Sequence, residues 1–195
     1  MSAFTIHTVE TAPEKSREIL KNIGGKFGFV PNVIAEMAES PALLKGFSEL
    51  SAAAFSLGSF SPTEVQVVQM TVSSMNNCAY CLAAHTTMAE KGGVSRDVLG
   101  CLRNDTPLKD LKLEALRTFS RTMLKKMGWA EEEDLSAFYE AGYTKAQALE
   151  VILSLSVKLI TNYVNHIAKT PLDKAFEPNK IECRKSCCKD SCCAV

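Results

Sequence analysis

The chain has 195 residues, with 22 basic and 22 acidic side chains and 46% hydrophobic residues, a size for one domain or two small ones sharing a core. This composition excludes global disorder and collagen-like repeats, and a net charge of zero argues against a nucleic-acid binder, which carries a basic excess or stripe. Met1 to Glu10 lacks the basic-then-apolar layout of a secretory signal, and the longest apolar-leaning stretch, Ala146 to Ile160, contains Gln147, Glu150 and Lys158, so a cytoplasmic protein without a membrane span is expected.

In chain order, helices are predicted near 13–23, 31–39, 41–56, 62–75, 78–91, 95–103, 107–127 and 144–168, about eight in all, with a further one near 131–141. Start signals recur: Ser40-Pro41, Ser61-Pro62, Thr106-Pro107 and Thr170-Pro171 each set a capping hydroxyl before a proline suited to the first helical position. Ser61 to Glu64 and Thr144 to Gln147 also read as capping boxes. Gly92-Gly93, Gly128 and Gly142 stand where helices should stop. No alternating apolar and polar runs are bounded by hairpin turns, so an all-α fold is expected. Thr144 to Ile167 is the most apolar segment and reads as the central core helix. At an offset of 83 there is a faint internal echo: Ser61-x-x-Glu64 with Thr144-x-x-Gln147, Val68 with Val151, Val72 with Leu155, Tyr80 with Tyr163. It permits two related helical halves.

The domain is expected to span residues 1–178. Asn179 to Val195 reads as a mobile, Cys-rich tail: five of the chain's eight cysteines, Cys183, Cys187, Cys188, Cys192 and Cys193, lie there. Thiolates at that density suit soft metal ions such as Cu(I) or Zn(II), or disulfide exchange with another thiol pair; a tail with no dedicated role is the plainest reading. Cys101 is expected to be a small buried hydrophobe.

The informative segment runs from Asn76 to His85, Asn-Asn-Cys-Ala-Tyr-Cys-Leu-Ala-Ala-His. With Asn77 as cap and a helix from Cys78, the thiols of Cys78 and Cys81 share one face and His85 lies one turn farther along it. A helix N-terminus stabilises a thiolate, an imidazole one turn away can take the thiol proton or stabilise the anion as a cation, and the second thiol can close a disulfide with an oxidised first one. In a chain with no export signal such a pair reads as redox or metal chemistry, not stapling. A zinc site using Cys78, Cys81 and His85 would need a fourth ligand, and three ligands along one helical face suit a tetrahedral ion poorly. Tyr80 reads as a packing residue.

Ser-Pro-x-Glu, a helix, then Cys-x-x-Cys-x-x-x-His resembles the carboxymuconolactone decarboxylase-like superfamily, in its alkylhydroperoxidase D-like branch. The resemblance spans about residues 28–176 and includes Val30-Pro31-Asn32, Asn162 to His166 and Thr170 to Asp173. It implies an all-helical homo-oligomer that reduces hydrogen peroxide or organic hydroperoxides, with Cys81 as the peroxidatic thiol, Cys78 resolving it, and an external dithiol restoring the pair. The family pattern sets a proton-relay glutamate twelve residues before the first cysteine, where this chain has Gln66. An amide can orient His85 but cannot shuttle a proton, and Glu64, roughly 200° around the helix, cannot substitute. His166, on the core helix, could supply a second imidazole.

No haem, flavin or nucleotide motif appears, and no Gly-rich phosphate loop opens a helix, so no cofactor is expected. Two rivals stand beside the thiol peroxidase: a lactone decarboxylase, which would leave Cys78 and Cys81 unexplained, and a non-enzymatic redox sensor or soft-metal binder centred on the tail.

Overall fold

The computed structural model describes residues 4–181; the five tail cysteines, and with them the metal-binding and disulfide-exchange readings of the tail, lie outside the described residues. Within them the chain is all helical. It forms α1 (Glu14–Phe27), α2 (Asn32–Met37), α3 (Pro41–Ser56), α4 (Pro62–Met75), α5 (Ala79–Lys91), α6 (Arg96–Asn104), α7 (Leu111–Lys125), α8 (Glu132–Glu140), α9 (Lys145–Ala168) and a closing 3-10 helix, Lys174–Asn179.

The caps explain the boundaries. Ser40 and Ser61 accept from the backbone N–H three residues on, each with proline following. The boxes Ser61–Glu64 and Thr144–Gln147 are both closed reciprocally. Two of the Thr-Pro signals do not start helices. α7 opens four residues after Pro107, capped by Asp110. The Thr170 hydroxyl instead donates to Glu36 Oε2 at 2.5 Å, and the Pro171 carbonyl accepts from Asn32 Nδ2 at 2.9 Å. These bonds stitch the C-terminal segment to α2.

Two apolar clusters fill the interior. One joins α4, α6, α7, α8 and the first half of α9, with Phe138 stacked between Phe119 (4.3 Å) and Tyr143 (4.6 Å). The other gathers α1, α2, α3, α5 and Phe176 of the closing helix, and contains both Cys78 and Cys81. α4 lies between them and packs on α5, α7 and α9. The two echoing helices α4 and α9 are thus neighbours, with Val68 and Val151 both fully buried. Cys101 is partly buried and packs on the first cluster. By length and mean hydropathy α9 is apolar enough to cross a bilayer, yet half of that stretch is buried against the other helices, the placement of a core helix.

The closing segment reaches past residue 178. Asn179 Nδ2 donates to Thr87 Oγ1 (3.2 Å) and Glu90 Oε2 (2.8 Å), its carbonyl accepts from Arg103 (3.1 Å), and Ile181 packs on the first cluster.

Candidate functional site

The cysteine-bearing helix starts from a tight reversal. Asn77 adopts φ 53°, the left-handed region that asparagine tolerates better than most residues. Its N–H donates to the Ser74 carbonyl, and the Cys78 N–H donates to the Ser73 carbonyl. This is a Schellman closure of α4. Asn77 therefore ends α4 and does not cap α5; the N-cap is Cys78 itself. The reversal folds α5 back along α4 and turns both sulfurs inward, leaving Cys78 2% and Cys81 3% exposed.

What faces them is a polar seam on the otherwise apolar α9: Lys158, Thr161, Asn162 and Asn165, all buried. Spaced at three, four and seven residues, they share one helical face. Asn165 Nδ2 donates to both sulfurs, at 3.2 Å to Cys81 and 3.6 Å to Cys78. Thr161 Oγ1 lies 3.8 Å from Cys81 Sγ. Both cysteines are reduced and unpaired.

These contacts split the two thiols. Burial alone pushes Cys81 up. A hydrogen bond from Cys78, the Lys158 charge, and the polar side chains of Thr161 and Asn162 outweigh it and bring Cys81 down to about 5. Cys78 goes the other way, far above the ordinary thiol range, chiefly because it donates to the Cys81 sulfur and because it is buried. The pair is thus polarised: Cys81 is the thiol that ionises readily and Cys78 the one that keeps its proton.

His85 makes no hydrogen bond to either sulfur. Its Nδ1 meets Gln66 Oε1 at 2.9 Å, and its Nε2 meets the Lys158 ammonium. A carboxamide oxygen only accepts, so Nδ1 carries the hydrogen and Nε2 is the acceptor of a Lys158 proton. Burial, then the Lys158 charge, hold His85 well below the ordinary histidine range, so the imidazole is neutral. The geometry corrects the expectation that His85 supplies the proton acceptor or cation beside the thiolate. The cation is Lys158, and His85, oriented by Gln66, holds it. Lys158 is 3% exposed and has no carboxylate partner among the described residues. A buried ammonium demands an anion, and the Cys81 thiolate answers.

His166 is not brought to the site. It is exposed on α9, one residue past Asn165, with its ring 6.4 Å from that of Tyr163. A step of one residue rotates a side chain roughly 100° around a helix, so Asn165 takes the inward position and His166 the outward one. With both His85 nitrogens committed, Cys78, Cys81 and His85 do not converge on one point. Among the described residues no three His, Cys, Asp or Glu side chains are grouped to hold a metal ion.

Sequence reasoning missed Lys158, Thr161, Asn162 and Asn165 as site groups. Their signal was legible: four polar residues at helical spacing on the most apolar segment of the chain. Tyr80 also does more than pack. Its hydroxyl donates to Asp173 Oδ2 at 2.5 Å, while the Asp173 carboxylate accepts the Asn32 N–H at 3.1 and 3.2 Å. The cysteine helix is thereby pinned to α2 and to the closing segment.

Comparisons with known proteins agree with this architecture. Residues 41–109 match the carboxymuconolactone decarboxylase family, a stretch that carries Gln66, both cysteines and His85 but not α9. No curated protein matches the chain. Among solved structures, the fold is similar to that of an uncharacterised peroxidase-related protein with an alkylhydroperoxidase AhpD core from Ralstonia eutropha JMP134 (TM-score 0.78, 21% identity, 90% of this chain and 94% of that one). A peroxidase-related protein from Silicibacter sp. TM1040 gives TM-score 0.76 at 20% identity, covering 90% and 93%. The debrominase Bmp8, solved with 2,3,4-tribromopyrrole, gives TM-score 0.76 at 17% identity, covering 92% and 96%.

Proposed function

We propose, for a chain whose residues 41–109 match the carboxymuconolactone decarboxylase family and whose fold is alkylhydroperoxidase D-like, a thiol-dependent peroxidase that reduces hydrogen peroxide or organic hydroperoxides through a dithiol–disulfide cycle. The observation that carries this reading is the buried pair of reduced thiols, both bonded by Asn165 Nδ2 at 3.2 and 3.6 Å, in surroundings that bring Cys81 down and push Cys78 up.

The cycle balances. The Cys81 thiolate attacks the terminal peroxide oxygen; the S–O bond forms, the O–O bond breaks, and its electron pair leaves on the alkoxide. Lys158 gives that alkoxide a proton and becomes a neutral amine. Cys81 is now a sulfenic acid, and Cys78, bonded to the same Asn165 amide, displaces water to form the disulfide. An external dithiol then reduces the disulfide by exchange. It delivers two protons: one rests on Cys78, the other returns to Lys158, and the thiolate–ammonium pair is restored. Gln66 takes no part in proton transfer; it sets the tautomer of His85, and His85 holds Lys158. A lysine in this place answers the loss of a carboxylate relay, because the ammonium itself is the acid.

The lactone decarboxylase reading makes no use of the two thiols, and substituting both by serine would leave such an activity intact. The decisive assay is a thiol count on protein ending at Ile181, before and after one equivalent of cumene hydroperoxide. The proposal expects two thiols lost per chain and recovered with a dithiol. An unchanged count contradicts it.

A further inference from the structure

Asn165 uses only half of its amide. Its Nδ2 serves the two sulfurs, while its Oδ1 is buried and has no hydrogen-bond donor among the described residues. Asn165 as a whole is 5% exposed. A buried carbonyl left without a donor has given up its hydration with nothing in return, so an unpartnered acceptor at a reacting centre needs a reason. The orphan is fixed beside the nucleophile, since the two ends of one carboxamide cannot be far apart and Nδ2 is 3.2 Å from Cys81 Sγ.

We infer that Asn165 Oδ1 is the acceptor for the O–H of the incoming hydroperoxide, making Asn165 the residue that binds and orients the substrate's reacting oxygen. This rests on the peroxidase reading and ties it to peroxides bearing a terminal O–H, since a dialkyl peroxide has no hydrogen to donate to that oxygen. The hydrogen so held is on the oxygen that Cys81 attacks. It stays there through the reaction: the O–O bond breaks, the alkoxide leaves to take its proton from Lys158, and the product sulfenic S–OH donates to the same Oδ1. One amide therefore steadies the thiolate through nitrogen before attack, and the transferred oxygen's hydrogen through its carbonyl during and after it.

The test compares wild type, Asn165→Leu and Asn165→Asp. Each is assayed at a pH where its own ultraviolet thiolate titration is complete, so that differences in thiol ionisation drop out. Second-order rates are measured with tert-butyl hydroperoxide and with methyl methanethiosulfonate, an electrophile with no hydrogen to donate. Asn165→Leu, which lacks the acceptor, should lower the peroxide rate relative to the thiosulfonate rate by about tenfold, the value of one lost hydrogen bond. Asn165→Asp keeps the acceptor and loses the Nδ2 donor. Its thiol should titrate higher while the ratio stays near that of wild type. An unchanged ratio in Asn165→Leu, or a tenfold loss in Asn165→Asp, overturns the inference; the second holds even if the leucine variant does not fold. Failure of the peroxidase reading is visible separately, in wild type alone: a peroxide rate no faster than that of free cysteine thiolate removes both.

Discussion

Cys81 shows how one side chain's chemistry is decided by what faces it. Buried thiols are ordinarily inert, and burial does oppose ionisation here. The balance is reversed first by the neighbouring Cys78 and then by groups on α9, of which the Lys158 charge is the only full one. Lys158→Met should therefore move the onset of Cys81 reactivity from about 5 up toward the free-thiol range of roughly 8.5. The sign follows from the ion pair: the cation favours the charged form, so its loss costs thiolate at every pH below the new midpoint. At pH 6 the alkylation rate should fall by more than about tenfold, whereas Lys158→Arg should keep most of it. A pH profile of iodoacetamide alkylation checks this; a midpoint unmoved in Lys158→Met contradicts it. At this scale the sequence was half legible. Cys78, Cys81, His85 and Gln66 share one local stretch whose spacing can be read directly, and His85 does meet Gln66. Lys158 and Asn165 lie some eighty residues on, and nothing local says which face of their helix meets the cysteines. His166 attracted the reading because imidazole is chemically richer than carboxamide, yet helical rotation turns it outward.

Among the elements, the α4–α5 junction and α9 make the site. The junction depends on one residue in the left-handed region, and the exposed Asn77 side chain adds little else. Asn77→Gly should leave stability unchanged or slightly raised. Asn77→Val, β-branched in a region that penalises a Cβ, should cost about 1–2 kcal/mol in urea denaturation. Equal stability of the two variants would mean that the reversal does not govern the fold. The capping logic explains why helix boundaries were readable in this region: Ser40-Pro41, Ser61–Glu64 and Thr144–Gln147 each satisfy end groups with local side chains. Thr106-Pro107 and Thr170-Pro171 show the limit of that logic. The same dipeptide starts no helix when Asp110 offers a later cap, or when Thr170 and Pro171 find partners on α2.

For the whole molecule, the all-α architecture followed from the helix start and stop signals and the lack of alternating runs, and the core position of α9 from its being the most apolar segment. The division of the core between two clusters did not, because pairing of helices depends on long-range contacts that no local signal carries. The outward face of the fold carries exposed apolar side chains where α9 begins and ends, at Leu149 and Ile167, and near the end of α3 at Phe55 and Leu57. Ser59, bonded to Glu150 by both its N–H and its hydroxyl, brings the end of α3 against the start of α9. Apolar residues grouped on one face mark an interaction surface, and a second copy of the chain is the proposed occupant. Leu149→Glu with Phe55→Glu should lower the mass seen by analytical ultracentrifugation toward that of one chain; an unaltered mass would place the interface elsewhere. Protein for any assay that omits the tail should end at Ile181 and not at Pro178, since Asn179 and Ile181 belong to the packed body.

The central claim is that Cys81 is the sulfur that attacks and Cys78 the one that resolves. Brief hydroperoxide treatment of Cys78→Ser in the presence of dimedone, followed by peptide mapping, tests it directly. The account predicts a sulfenic acid adduct on Cys81. An adduct found instead on Cys78 in the Cys81→Ser protein, with Cys81 unmodified in Cys78→Ser, would contradict it.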